Sequence, residues 1–358
     1  MIRYLAYKLG QAIFTLFGVV TVIFFLFTVL PGDPARMMLD QNEDSEQLAA
    51  IKAKYGFDKP ISQQYGYYLN DLSPLSFHAK DKSDYTFYAE EKYTGARLFS
   101  IGNTSIVLKF PYLRESFQKN GKKVTQVIQE TLPNTFILAV AAIIIAMLIG
   151  VMLGIASALM KDSWLDRLIQ VVSTFGMSIP SFFSAILFAW IFGFLLREYT
   201  GLNMTGSLYA VDDFGEGSSI QWKNLILPAI TLGIRPLAVV TQLMRNSLLE
   251  VLSQDYIRTA KAKGLGMLQI VRKHAMKNAL NPVVTAISGW FASMLAGAVF
   301  VEYIFGWNGL GKEIVDALNN LDLPVIMGAV LVIATMFIII NILVDFVYGW
   351  LDPRIRLK

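Results

Sequence analysis

Cysteine is absent from this chain, and histidine occurs only twice, as His78 and His274. Without a thiol there is no disulfide framework, no thiolate nucleophile and no cysteine-based metal site, and nothing indicates a redox compartment. The two histidines are far apart in sequence, and the hydropathy pattern puts them on opposite sides of a membrane, so no shared metal site is expected. Charged residues are scarce at 16%, where soluble domains carry about a quarter. No G-x-x-x-x-G-K-[ST] stretch occurs, so the chain lacks the loop that cradles nucleotide phosphates. Gly264-Leu265-Gly266 and Gly309-Leu310-Gly311 lie outside any βαβ context and read as helix breaks. No nucleophile–base arrangement is visible, no internal repeat or low-complexity tract occurs, and nothing points to nucleic acid.

What the chain has is apolar length. Of its 358 residues 54% are hydrophobic, and the mean hydropathy is +0.49. A helix needs roughly 20 apolar residues to cross the hydrocarbon core. Six runs meet that test: residues 9–30, 135–160, 168–196, 225–244, 281–301 and 323–344. Five hold no charge and the fourth holds only Arg235. The strands of a β-barrel would be about ten residues long and alternate in polarity. The expected fold class is therefore an all-α polytopic membrane protein with six transmembrane helices. The first run follows Arg3 and Lys8 but is too long for a signal-peptide core. Pro31-Gly32-Asp33-Pro34 follows it with no small-x-small cleavage site, so it reads as a retained helix.

Basic residues set the expected orientation. With the N-terminus inside, the inner pieces are the N-terminal arm, residues 161–167, residues 245–280 and the C-terminal tail, with fourteen Lys or Arg. The short outer loops, 197–224 and 302–322, hold three: Arg197, Lys223 and Lys312. Both termini are expected in the cytoplasm. The Asp212/Asp213/Glu216 cluster then faces outward and reads as a solvated loop. The long segment 31–134 carries turn residues and many aromatics (Phe77, Tyr85, Tyr88, Tyr93, Phe99, Tyr112). It reads as a small folded extracytoplasmic subdomain; the alternative is a solvated loop with aromatics at the membrane interface.

Within the inner loop, Tyr256 to Leu280 holds six Lys or Arg, one His and no acid. Charge of this kind follows from orientation alone. Shape does not: helix formers flank a glycine break, and Leu268, Val271, Ala275 and Ala279 fall at helical spacing. A helix, a break and a second helix make a protrusion that a soluble partner can grip.

Tyr256-Ile257-Arg258-Thr259-Ala260-Lys261-Ala262-Lys263-Gly264 resembles the E-A-A-x-x-x-G coupling motif of permease subunits of binding-protein-dependent ABC importers, with Arg258-Thr259-Ala260 at the E-A-A positions. Leu30-Pro31-Gly32-Asp33-Pro34, Leu249-Glu250-Val251-Leu252, Lys273-His274-Ala275, Asn278-Ala279-Leu280 and Leu351-Asp352-Pro353-Arg354-Ile355-Arg356 resemble the branch holding dipeptide, oligopeptide, nickel and glutathione permeases. The resemblance covers nearly the whole chain except about residues 75–110, which look inserted. Departures are Asn308 where proline commonly precedes Gly-Leu-Gly, Asn320-Leu321-Asp322 without the frequent Arg, Arg235-Pro236 within a span, and Gln242 near a position often held by Arg.

The resemblance implies a type I ABC importer permease fold with an extracytoplasmic insertion between helices 1 and 2. Residues 1–30 would be the first helix, 31–123 the outer subdomain, 124–349 the permease core and 350–358 a cytoplasmic tail. It implies a multi-pass protein of the bacterial inner membrane, embedded in lipid, that imports peptides. The partners would be a second homologous permease, two cytoplasmic ATPases that use ATP and Mg, and an extracytoplasmic binding protein. The chain itself would hold no cofactor, metal or catalytic residue. Tyr256, Arg258, Thr259, Ala260, Lys263 and Gly264 would couple to the ATPases, with Ala260 and Ala262 small to fit a cleft and Gly264 in a turn. Thr174, Ser178, Ser181, Arg235, Gln242 and Ser288 are the polar residues expected along the substrate path. Asn341 and Asp345, four apart on one helix, suggest a polar contact near the inner end. Import of nickel or another small solute by the same kind of permease, and an ion-coupled secondary transporter, are the alternatives. Nickel would favour His or carboxylate ligands, and the secondary transporter ionisable groups at mid-span.

Overall fold

The computed structural model describes residues 2–29, 35, 45–82, 84–119, 121–211 and 217–351. The Pro31–Pro34 motif, the Asp212/Asp213/Glu216 cluster and residues 352–358 lie outside the described residues. Helix α1 (Ile2–Val29) is followed by α2 (Ser45–Tyr55) and α3 (Ile61–Leu72), then strands β1 (Leu75–Ala79), β2 (Gly95–Ile101) and β3 (Thr104–Lys109). Helices α4 (Val124–Leu159), α5 (Trp164–Ser178), α6 (Ser181–Trp190) and α7 (Arg197–Thr200) come next, then the short strands β4 (Tyr209–Val211) and β5 (Ser218–Ile220). The rest is helical: α8 (Lys223–Leu252), α9 (Asp255–Ala262), α10 (Met267–Ile270), α11 (Met276–Ala279), α12 (Asn281–Gly297), α13 (Val299–Phe305), α14 (Leu310–Asn319) and α15 (Leu323–Leu351).

Four of these helices are long and apolar enough to cross a membrane, within α1, α4, α8 and α15. The other two apolar runs are not straight helices. The third run bends by 109° between α5 and α6, and the fifth by 58° between α12 and α13; counting each pair as one span makes six. The first bend has a local cause. Ile179 is extended because it precedes Pro180, whose ring disfavours helical geometry one residue upstream, and Pro180 then starts α6.

The chain divides into two compact units. The first comprises residues 1–12, 131–312 and 333–358. One of its apolar clusters joins α4, α6, α8, α12 and α13 through Leu138, Ala185, Leu232, Leu295 and Phe305. Helix α4 approaches α8 at backbone distance. A Cβ on Gly150 would lie 2.9 Å from the Leu237 carbonyl oxygen, and one on Gly154 would lie 2.7 Å from that of Thr241. This is the small-x-x-x-small packing that membrane helices use in place of a hydrophobic driving force.

The second unit comprises residues 13–130 and 313–332. There α3 packs on α1, with Tyr65 and Thr21 hydroxyls 2.7 Å apart and Tyr68 stacked on Phe24. Strands β1, β2 and β3 form an antiparallel sheet in the order β1-β3-β2, and β4 pairs with β5 in a second, two-stranded sheet; the rest of the named elements are helical.

The three-stranded sheet's polarity is inverted. Its buried face carries Ser76, His78, Ser105, Val107 and Lys109, while Leu75, Phe77, Phe99, Ile101 and Leu108 are exposed. The buried polar groups are paired. Asp71 accepts Tyr85 Oη at 3.0 Å, Tyr93 Oη at 3.1 Å and Arg114 Nε at 3.0 Å. Lys109 Nζ donates to the Asp71 carbonyl, and burial pushes its ammonium down to about 8. His78 Nδ1 lies 2.7 Å from the Thr86 carbonyl oxygen, which can only accept, so Nδ1 carries the proton and Nε2 faces the Ser76 hydroxyl at 2.8 Å.

Candidate coupling loop and substrate path

The basic loop is an ordered helical lever. Helix α8 ends at Leu252, and after two intervening residues α9 begins with Asp255 in its first turn, an acid placed favourably at a helix N-terminus. Ile257 and Ala260 point inward and are buried; Tyr256, Arg258, Thr259, Lys261 and Lys263 point outward. Gly264 closes α9 at φ +78°. Its N–H donates to Lys261 O (2.9 Å) and that of Leu265 to Ala260 O (3.3 Å). That bond pair is a Schellman cap, which needs the left-handed residue glycine supplies. A Cβ on Gly264 would meet nothing within 4 Å of this chain.

After the cap, α10, a π-turn over Val271–Ala275 and α11 return along α9. Asn278 Nδ2 donates to Tyr256 Oη at 3.0 Å, which ties the two arms together. Ile257, Ala260, Ile270, Val271, Ala275 and Ala279 pack with Ala158 of α4, Met244, Leu248 and Val251 of α8 and Val283 of α12. The lever is therefore seated on the ends of three helices. Arg258 and Asp255 form an exposed pair at 3.3 Å, which stabilises little.

Two expectations about the loop need correction. Ala260 is buried against the chain's own core, so its small size serves that packing rather than a cleft on a partner. Leu268 is off the apolar stripe and 76% exposed, because the π-turn inserts a residue and shifts the helical register; Ile270 takes the inward position.

The six polar path candidates are not assembled into one site. Among the described residues no hydrogen bond joins the side chains of any two of them. Thr174 and Ser178 are exposed on α5 and donate to Gln170 O and Thr174 O, each at 2.9 Å. Ser288 donates to Val284 O at 2.9 Å. Ser181, at the start of α6, is half-buried. Arg235 is exposed at mid-helix on α8, and Gln242 is half-buried below it. With Asn246 and Glu250 these two fall at intervals of seven, four and four, which places all four on one face of α8. The chain's own helices leave that polar face largely uncovered. Asn341 and Asp345 do not contact each other as expected. Asn341 Nδ2 donates to Phe337 O, the ordinary local option for an amide on a helix, while Asp345 pairs with Lys8 of α1 at 2.7 Å.

Two features escaped the linear reading. Asp166, in the first turn of α5, takes Arg245 of α8 in a two-pronged pair, Nε–Oδ1 2.8 Å and Nη2–Oδ2 2.7 Å. Glu302 of α13 is fully buried, and Oε2 accepts the backbone N–H groups of Gly311 (2.7 Å) and Lys312 (3.1 Å) at the start of α14.

Comparison with known proteins agrees with this architecture. A family model for binding-protein-dependent transport system inner membrane components matches residues 150–357, and the model for the N-terminal part of such components matches residues 1–83. The dipeptide transport system permease protein DppB of Alkalihalophilus pseudofirmus is 34% identical, covering 99% of this chain and all of its own length. The di/tripeptide permease DppB of Pseudomonas aeruginosa is 33% identical over 99% of both, and the glutathione transport system permease GsiC of Salmonella typhimurium 32% over the whole of both. Among solved structures, a chain of the inward-facing MetNI methionine ABC transporter aligns with a TM-score of 0.51 at 15% identity, covering 64% of this chain and 97% of that one. That likeness establishes the type I importer permease fold and nothing finer. With a family model across more than half its length and relatives matched from end to end, this chain belongs to the inner-membrane components of binding-protein-dependent ABC transport systems.

Proposed function

We propose that the chain is the peptide-translocating permease subunit of an ATP-driven importer. The observation that carries this is end-to-end similarity to relatives named for dipeptides, di/tripeptides and glutathione, which is itself a peptide. Residues 245–280 face the cytoplasm in this reading, with both termini, and residues 31–123 form the outer subdomain ahead of a permease core over 124–349. Two ATPases, which bind ATP and Mg, grip the outward face of the lever (Tyr256, Arg258, Thr259, Lys263) and the turn at Gly264. The chain holds no ATPase site of its own. A second homologous permease covers the polar face of α8, because charge inside a span must meet protein or a water-filled path rather than lipid. The path then runs along Thr174, Ser178, Ser181, Arg235, Gln242 and Ser288, and Arg235 meets the peptide carboxylate. A binding protein delivers the ligand from outside. Nickel import is less well supported, because Asp345, the acid at the end of a span, is engaged by Lys8.

The test is uptake of labelled glycyl-leucine, trialanine, glutathione and nickel in cells with and without this gene. Loss of nickel uptake with all three peptides unaffected would reject the peptide reading and leave the family assignment standing.

A further inference from the structure

The lever's apolar seat joins α4, α8 and α12, but α5 contributes no residue to it. Yet α5 carries Thr174 and Ser178 and ends at the sharp bend before α6. Something else must connect α5 to the lever end of α8. The connection is the Asp166–Arg245 pair, whose carboxylate is almost wholly buried and whose guanidinium is mostly so. Arg245 lies on the last turns of α8 before the lever. Asp166 sits at a corner where only four residues, 160–163, join α4 to α5. Donors from both neighbouring segments converge on its carboxylate. Ser157 Oγ of α4 donates to Asp166 Oδ1, the Asp162 N–H donates to Oδ2 at 3.0 Å, and Gln170 Nε2 donates to Ser157 Oγ at 3.2 Å. Ser163 caps α5 by accepting the Asp166 N–H at 3.2 Å. A two-pronged guanidinium–carboxylate pair resists both sliding and rotation, unlike an apolar contact, which tolerates slip. Higher up, Gly176 lets α5 lie close on Ile234 and Ala238 of α8.

We infer that Asp166 and Arg245 are positioning residues that transmit the lever's displacement from α8 to α5, so that the path-facing side of α5 moves with the ATPases. A conformational change needs a rigid link between the element a partner displaces and the element that lines the path. Without the pair α5 keeps its close approach at Gly176 but loses its tie at the driven end. The inference rests on the lever being the ATPase contact, as proposed above.

The measurement is made on the complete complex in lipid nanodiscs and proteoliposomes, with binding protein, as glycyl-leucine imported per ATP hydrolysed. Asp166→Asn and Arg245→Gln should each lower that ratio by at least about fivefold while ATP hydrolysis persists. The double replacement should be little worse than either alone, because the two side chains act only through each other. Ser157→Ala keeps both charges and loosens only the orientation of Asp166, so it should give an intermediate ratio in a normally assembled complex. If Asp166→Asn fails to assemble, Ser157→Ala and Arg245→Lys decide. A purely structural pair would lower thermal stability and yield and leave the ratio of assembled complexes at the wild-type value, which overturns the inference. Gly264→Val is measured in parallel. If it uncouples and the pair's variants do not, only the transmission role falls; if it too keeps the wild-type ratio, the reading of the lever falls.

Discussion

Glu302 holds the backbone of Gly311 at 2.7 Å through a carboxylate with no exposure to solvent. Gly309 and Gly311 are glycines because that carboxylate occupies their side-chain space: a Cβ on Gly311 would lie 2.8 Å from Oε2 and 2.6 Å from Val299 Cα. The surrounding contacts draw in the start of α4. Trp307 Nε1 donates to Asn134 O at 3.0 Å, Asn134 Nδ2 donates to Asn308 O at 2.7 Å, and the Leu310 N–H donates to Thr135 Oγ1 at 2.8 Å. The Gly-Leu-Gly stretch is thus the seat of a buried acid rather than a simple helix break.

Removing that acid leaves two N–H groups without their acceptor. Glu302→Ala should cost roughly 3 kcal/mol, since each buried unsatisfied donor costs about 1–3 kcal/mol. Glu302→Gln, which keeps one acceptor oxygen, should cost less than half of that. Thermal unfolding of the detergent-purified chain checks the order; equal loss in both variants would contradict the hydrogen-bond account.

Gly154→Val should be worse than Gly150→Ala, and both should weaken the α4–α8 contact. The added carbons meet backbone carbonyl oxygens that cannot rotate away. Overpacking of this kind costs about 1–3 kcal/mol, read as a lower melting temperature in detergent. A melting temperature unchanged by Gly154→Val would show that the helices can separate freely.

Gly264→Val should leave the protein in the membrane at normal levels but uncouple it. The left-handed cap disfavours a β-branched residue by about 1–2 kcal/mol, while nothing in the chain itself clashes with the new side chain. Gly264→Asn, which tolerates the same backbone region, should retain more coupling. Wild-type substrate-stimulated ATPase activity and uptake in the valine variant would rule out the assigned role.

Arg235→Ala should reduce uptake of dipeptides with a free carboxylate by about tenfold, a typical loss for one charge-assisted contact, and leave C-amidated dipeptides unchanged. Equal loss for both would make Arg235 a packing residue.

The small sheet should loosen in acid. Burial is the main cause holding His78 below its ordinary value of 6.5, with Lys109 and Lys92 adding to the effect, while the Thr86 carbonyl and Asp71 oppose it. The unfolded segment therefore binds more protons than the folded one below pH 6.5. Stability is complete above that value and falls as pH drops beneath it. Hydrogen exchange of β1 and β3 in nanodiscs should speed up between about pH 7 and about pH 5, and His78→Gln should flatten the response.

The sequence alone determined that the chain crosses a membrane repeatedly, because runs of about 20 uncharged apolar residues have no other stable setting. It also determined the helix–glycine–helix form within the 245–280 loop, since a Schellman cap is written in consecutive residues and involves no distant partner. Tertiary structure decided the rest. Asp166 and Arg245 each read as ordinary charges at the end of a span, and only the packing of α5 on α8 brings them together from 79 residues apart. Gly150 and Gly154 look like any small residues in an apolar helix until Leu237 and Thr241 are found against them. The buried face of the sheet is polar and its exposed face apolar, so alternation along β1 and β3 points the wrong way unless Asp71, Tyr93 and Arg114 are already in place. Local preferences act over a turn or two of chain. Pairing across the fold depends on which surfaces meet, and that is a property of the packed molecule.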